Sequence, residues 1–127
     1  MKIFVIDDDP IHQKISEIKW RKVGMEDEVI PFLEADAALL FLRENQHIPE
    51  LMPDLILLDL NMPVMDGWDF LDEFGNLPQA VHQRVRIYIV TSSVDLRDQA
   101  KATRYPFVSG YVTKPLNDAD LSRLRLS

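Results

Sequence analysis

Five short apolar runs rich in branched side chains recur along the chain, at Ile3 to Ile6, Val29 to Leu33, Leu55 to Leu58, Val85 to Val90 and Phe107 to Val112. They are continuous rather than alternating, which is the pattern of strands buried on both faces of a parallel sheet. Amphipathic stretches separate them, so the chain reads as repeated βα units. The expected fold is α/β, a doubly wound five-stranded parallel sheet with five helices. Pro31 lies inside the second run, where it cannot donate a ladder hydrogen bond, and so places that strand at an edge. Strand order 2-1-3-4-5 satisfies this. It sets strand 1 beside strand 3 and directs the search for a site to the carboxyl ends of the strands.

Helical spacing accounts for the segments between the runs. Asp9 is placed to cap a first helix, Pro10 suits its first position, and Ile11, Ile15 and Ile18 recur on one face with Trp20 on the opposite one. Ala38, Leu39 and Leu42 mark the second helix. Phe70, Leu71 and Phe74 form the inner stripe of a third that starts near Asp66-Gly67, with Trp68 a near-core aromatic. A fourth, Leu96 to Arg104, offers only Leu96, Ala100 and Ala102 among charged neighbours and should be the most weakly held. A short fifth follows Pro115 with Leu121 and Leu124. Gly75 to Arg84 reads as a longer loop.

With 127 residues, 46% of them hydrophobic, the expectation is one domain, 1–127, without a separate output domain. Fourteen basic against 21 acidic residues leave a net charge of -7, which disfavours direct binding to nucleic acid or anionic membranes. The absence of cysteine excludes disulfides and thiolate chemistry and suits a reducing cytoplasm. The apolar run at the N-terminus falls far short of the ~20 residues that span a bilayer.

Chemistry-bearing side chains stand at the expected strand ends: Asp7, Asp8 and Asp9 after strand 1, Asp59 after strand 3, Thr91, Ser92 and Ser93 at strand 4, Lys114 after strand 5. Ionised carboxylates from neighbouring strands about 5 Å apart repel by roughly 3 kcal/mol at an effective dielectric of about 20. A hard divalent cation with oxygen ligands offsets that, and a few carboxylates with open water positions suit Mg²⁺ shared with a phosphate. Lys114 adds a positive charge and Thr91 a hydroxyl donor. A metal, a lysine, a hydroxyl and a carboxylate nucleophile suit phosphoryl transfer, with Asp59 as the group that becomes an aspartyl phosphate.

These residues resemble the response-regulator receiver family over essentially the whole chain. Asp59-Leu-Asn-Met-Pro-Val-Met-Asp-Gly67 is similar to its phosphoacceptor loop, Val5-Ile-Asp-Asp-Asp-Pro10 to its acidic pair, Val90-Thr-Ser92 to its hydroxyl position, and Ser109-Gly-Tyr-Val-Thr-Lys-Pro115 to its switch aromatic and lysine. The resemblance implies a flavodoxin-like, stand-alone receiver, chemotaxis-regulator-like. It implies Mg²⁺, with Mn²⁺ as a substitute, on Asp7, Asp8, Asp59 and the backbone carbonyl of Asn61. Asp59 would be the phosphoacceptor and Lys114 would bridge to the phosphoryl group. Thr91 and Tyr111 would switch the face of the fourth helix, fifth strand and fifth helix, and Asn61 and Ser93 would tune phosphoryl lifetime. The implied partners are a sensor histidine kinase or a histidine phosphotransfer protein, then a downstream protein, with the domain a monomer or weak dimer. The short fifth helix departs from the family pattern and puts the usual dimer or effector surface in doubt.

Bland readings compete at several positions. Asp9 is a helix cap, Tyr111 is also an ordinary strand aromatic, His12 reads as a solvated helix histidine on the partner-facing rim, and Trp20 as partner contact or half-covered surface. Other functions stay open too: an intermediate phosphorelay shuttle, a metal-dependent phosphohydrolase using an aspartyl phosphate, or an unphosphorylated adaptor. Asn61, where dehalogenase-type phosphatases carry a second aspartate, and a chain too short for a cap domain weigh against the hydrolase.

Overall fold

The computed structural model describes residues 1–24 and 27–126. In order, the elements are β1 (Lys2–Ile6), α1 (Pro10–Val23), β2 (Glu28–Phe32), α2 (Ala35–Asn45), a 3₁₀ turn (Pro49–Leu51), β3 (Leu55–Leu58), α3 (Gly67–Phe74), α4 (Gln79–Arg84), β4 (Arg86–Thr91), α5 (Leu96–Ala102), β5 (Val108–Thr113) and α6 (Asp118–Leu126). The five strands form one parallel sheet in the order β2-β1-β3-β4-β5, as expected.

Alternate strand residues point to opposite faces. Phe4, Ile6, Ile56, Leu58, Ile87 and Ile89 meet the inner faces of α2, α3, α4 and α5 in the larger core. Ile3, Val5, Leu55, Leu57 and Val90 meet Trp20 of α1 and Leu121 and Leu124 of α6 in the smaller one. Pro31 lies on the edge strand, as predicted. Glu28 N–H donates to Met1 O and Phe32 O accepts from Asp7 N–H, so every second residue of β2 bonds inward and Pro31, between them, faces outward. Its missing N–H costs no ladder bond.

Two expectations are corrected. The isoleucine stripe of α1 does not face the core: Ile11, Ile15 and Ile18 are 70%, 44% and 52% exposed, whereas Trp20 is fully buried. Gln13, two turns earlier in α1, is buried as well, its Nε2 donating to the carbonyls of Val5, Asp7 and Phe32 at 2.8, 3.0 and 3.1 Å. Strand-end carbonyls need donors, and a glutamine on the buried face of α1 supplies them. Apolar periodicity cannot detect that solution. The second correction is α4, a sixth helix inside the stretch read as loop. It is six residues long with Val81 as its buried apolar residue, and His82 packs its ring against Phe74 and Phe107. Six residues are too few to show a helical period.

The remaining helices follow their patterns. Asp9 caps α1 through Ile11 N–H, and Asp66 opens α3 with a reciprocal capping box to Asp69. In α5, Leu96 is 77% exposed and Ala102 is the buried residue, so apolar packing holds this helix weakly. Among the described residues no helix is long and apolar enough to cross a membrane.

Candidate functional site

Register alone brings the carboxylates together. Ile6 pairs with Leu58, so Asp7 and Asp59 leave adjacent strands at the same height, and Asp59 N–H donates to Ile6 O at 3.0 Å. Asp7, Asp8 and Asp59 each offer an oxygen, and these oxygens lie within 4.8 Å of one another. Asp7 and Asp59 are buried and Asp8 is exposed, so the cluster opens to solvent on one side. This all-oxygen donor set fits a hard divalent cation, which would relieve the repulsion among three carboxylates.

Lys114 brings a cation to the two buried carboxylates. Its N–H donates to Thr91 O at 2.8 Å, which extends the β4–β5 pairing by one bond past the sheet. Its ammonium then donates to Asp7 Oδ2 at 2.7 Å and Asp59 Oδ2 at 3.1 Å. Burial alone would lower the lysine pKa. The hydrogen bond it donates to Asp7 and the charges of Asp59 and Asp7 outweigh it and hold Lys114 above its ordinary value, so it is charged at neutral pH. The Lys114–Pro115 peptide bond is cis.

The β3–α3 loop holds Asp59 from below. Asn61 N–H reaches Asp59 Oδ1 at 3.3 Å, and Gly67 N–H donates to Leu60 O at 3.0 Å. A Cβ on Gly67 would come within 2.6 Å of Asp59 O and 2.8 Å of Leu60 Cα, so only glycine lets α3 begin this close to the acidic loop. At the tip of the loop Val64 adopts φ 67°, a left-handed conformation rare for a β-branched residue, with its side chain fully exposed.

The remaining predicted residues form a second group. Thr91, fully buried at the end of β4, accepts Ser93 N–H on its hydroxyl at 3.3 Å. Tyr111 packs against the larger core, and its hydroxyl donates to Ser93 O at 3.1 Å. Burial is the main reason its pKa is raised. The Ser93 hydroxyl donates to Asp98 Oδ2 at 2.6 Å and accepts Asp95 N–H at 3.2 Å. The structure thus unites Asp7, Asp8, Asp59, Asn61 and Lys114 in one cluster and links Thr91 of β4 and Tyr111 of β5 through Ser93 in the β4–α5 loop.

Two contributors escaped sequence reading, and a third stands closer to the cluster than its rim position implied. Gln13 braces the β1 end, and Asp98 holds Ser93. His12 is half exposed, but its Nδ1 lies 3.6 Å from Asp7 Oδ2 and 3.4 Å from Lys114 Nζ. The same nitrogen lies 3.5 Å from Asp9 Oδ2, one helical turn back along α1.

Sheet order, strand-end carboxylates and an opposed lysine define the class of flavodoxin-like domains with an acidic, cation-compatible pocket. Within that class the chain belongs to the response regulator receiver domain family, whose model matches residues 3–124. It is 29% identical to the response regulator Rcp1 of Synechocystis sp. over 125 residues, 96% of this chain and 82% of that one. Among solved structures, a two-component response regulator from Cytophaga hutchinsonii superposes with a TM-score of 0.89 at 31% identity, covering 98% of this chain and 93% of that one. The Mn²⁺-bound form of Rcp1 superposes at 0.75 with 28% identity, over 96% and 86%. Response regulator receiver domains are signalling proteins rather than classical enzymes.

Proposed function

We propose that the chain is a phosphoacceptor switch that takes a phosphoryl group from the phosphohistidine of a sensor histidine kinase or histidine phosphotransfer protein onto Asp59. The observation that carries this reading is the position of Asp59. One of its oxygens meets the Lys114 ammonium while the other faces the Asn61 amide, beside two further carboxylates.

In the transfer, an Asp59 oxygen attacks phosphorus in line with the donor nitrogen, the phosphorus–nitrogen bond breaks, and the imidazole leaves. Lys114 and the Thr91 hydroxyl neutralise charge on the equatorial oxygens, while the Asn61 amide orients the carboxylate. Asp7, Asp8, Asp59 and the Asn61 carbonyl would hold Mg²⁺ or Mn²⁺, which supplies charge neutralisation at the same oxygens. The exposed Ile11, Ile15 and Ile18 stripe runs along α1 from the rim of the site, an apolar face suited to the donor protein. After transfer, Thr91 and Tyr111 reposition α5, β5 and α6 for a downstream protein in the cytoplasm. The weak apolar anchoring of α5 supports that role.

The test is labelling by acetyl phosphate in Mg²⁺. Stoichiometric, slowly lost label on the wild type and none on Asp59→Asn is the expected result. An unlabelled wild type would move the chain to the adaptor reading, and label retained by Asp59→Asn would refute Asp59 as acceptor.

A further inference from the structure

The lifetime of an aspartyl phosphate depends on how water reaches it, and Ser93 is the position the family resemblance associates with that control. Here its hydroxyl is not free for that task. Its proton goes to Asp98 Oδ2 at 2.6 Å, and its oxygen accepts the Asp95 amide at 3.2 Å. The other polar groups of Ser93 are also engaged: its N–H meets the Thr91 hydroxyl and its carbonyl meets the Tyr111 hydroxyl. Ser93 is therefore a hub joining Thr91, Tyr111 and α5. Apolar packing does not hold that helix in place, since Leu96 is largely exposed and Ala102 is its buried side chain.

From this geometry, and resting on the phosphoacceptor reading of Asp59, we infer that Asp98 is a positioning residue for phosphoryl retention. It acts through the Ser93 hydroxyl to hold the β4–α5 loop, whose Ser93 amide in turn donates to the Thr91 hydroxyl. Ser93 influences lifetime as a fixed part of this loop and not by contacting the hydrolytic water. In hydrolysis a water oxygen bonds to phosphorus, the bond from phosphorus to the Asp59 oxygen breaks, the carboxylate is released and the water's proton passes to solvent as inorganic phosphate forms. A loop freed from Asp98 admits that water more readily and holds Thr91 less firmly against the equatorial oxygens.

The experiment follows loss of label after acetyl phosphate is removed, in wild type, Ser93→Ala, Asp98→Ala, Asp98→Asn, the Ser93→Ala/Asp98→Ala pair and Asp95→Ala. Ser93→Ala and Asp98→Ala should each shorten the half-life, by roughly three- to tenfold, the size set by the net strength of one ordinary hydrogen bond. The double variant should be no faster than Ser93→Ala, because that change already removes the bond to Asp98. Asp98→Asn, which keeps an acceptor oxygen, should restore part of the lifetime. Asp95→Ala removes the α5 cap and its pairing with Arg97 but leaves the Ser93–Asp98 bond, and should lower the melting temperature without changing the half-life.

An unchanged half-life in Asp98→Ala, factors that multiply in the double variant, or an equal shortening in Asp95→Ala would each overturn the inference while leaving Asp59 as acceptor. A wild type that takes no label removes the phosphoacceptor reading itself, and the inference with it.

Discussion

The Lys114 ammonium stands 3.1 Å from Asp59 Oδ2, although 55 residues and the whole of β4 separate the two in sequence and sheet order. The same nitrogen is 2.7 Å from Asp7 Oδ2, so one cation is shared by carboxylates from two other strand ends. Electrostatics at this point govern both the stability of the domain and the chemistry proposed for it.

Replacing Lys114 by Ala leaves two buried carboxylates without their ammonium. The expected result is a melting temperature lowered by about 4–12 °C in metal-free buffer, from a loss of about 1–3 kcal/mol, and labelling by acetyl phosphate slowed roughly a hundredfold. Differential scanning calorimetry and a labelling time course measure the two effects.

A cation that binds only the folded acidic cluster must raise its stability. At a hundred times its dissociation constant, Mg²⁺ or Mn²⁺ should add about 2.7 kcal/mol, a rise of about 10 °C in Tm for a domain of this size. Chelation should reverse it, and Asp8→Asn should abolish most of it. The same shift in Asp8→Asn would place the cation elsewhere.

Gly67→Ala puts a methyl group against the backbone of Asp59 and Leu60, which cannot rotate away as a side chain would. A loss of about 1–3 kcal/mol is expected, together with weakened metal stabilisation because the displaced strand end carries Asp59. Chemical denaturation with and without Mg²⁺ reads both effects.

Val64→Gly should work in the opposite direction. The left-handed conformation costs a β-branched residue about 1–2 kcal/mol, partly offset by the greater entropy glycine loses on folding. A net gain of about 0.5–1 kcal/mol follows, measured by urea unfolding, and a destabilised variant would contradict the strain argument.

Alkaline pH should destabilise the fold. Burial, then the hydrogen bond to Asp72, raise the Tyr105 pKa to about 12 from an ordinary 10.0, and Lys114 is raised as well. The folded state thus holds protons that the unfolded chain releases. The associated stability is complete below the unfolded values, near pH 10, and is lost as pH rises toward 12. Tyr105→Phe should flatten part of that slope in pH-dependent melts.

The legible and the hidden parts of this molecule divide along one physical line. The buried strands, the cap at Asp9, the start of α3 near Asp66, the edge placement of Pro31 and the inner stripe Phe70, Leu71 and Phe74 were readable because each depends on local pattern or on a single residue's covalent chemistry. The orientation of α1 was not. Three isoleucines at helical spacing form an apolar stripe whether or not it is buried, and the deciding contacts are carbonyls at the ends of β1 and β2 that only the assembled sheet presents to Gln13. Helix α4 was hidden because its stability comes from Val81 and from His82 packed between Phe74 and Phe107, not from a period of its own.

The sequence by itself determined the kind of sheet and the inventory of reactive groups at its strand ends, because both are written in runs of side-chain types a few residues long. Tertiary structure alone decided how those groups meet: that register sets Asp7 level with Asp59, that one extra β4–β5 bond aims Lys114 at both, and that Asp98 holds Ser93. Such contacts join residues brought together by strand order and backbone pairing, and their distances exist only once the sheet has formed.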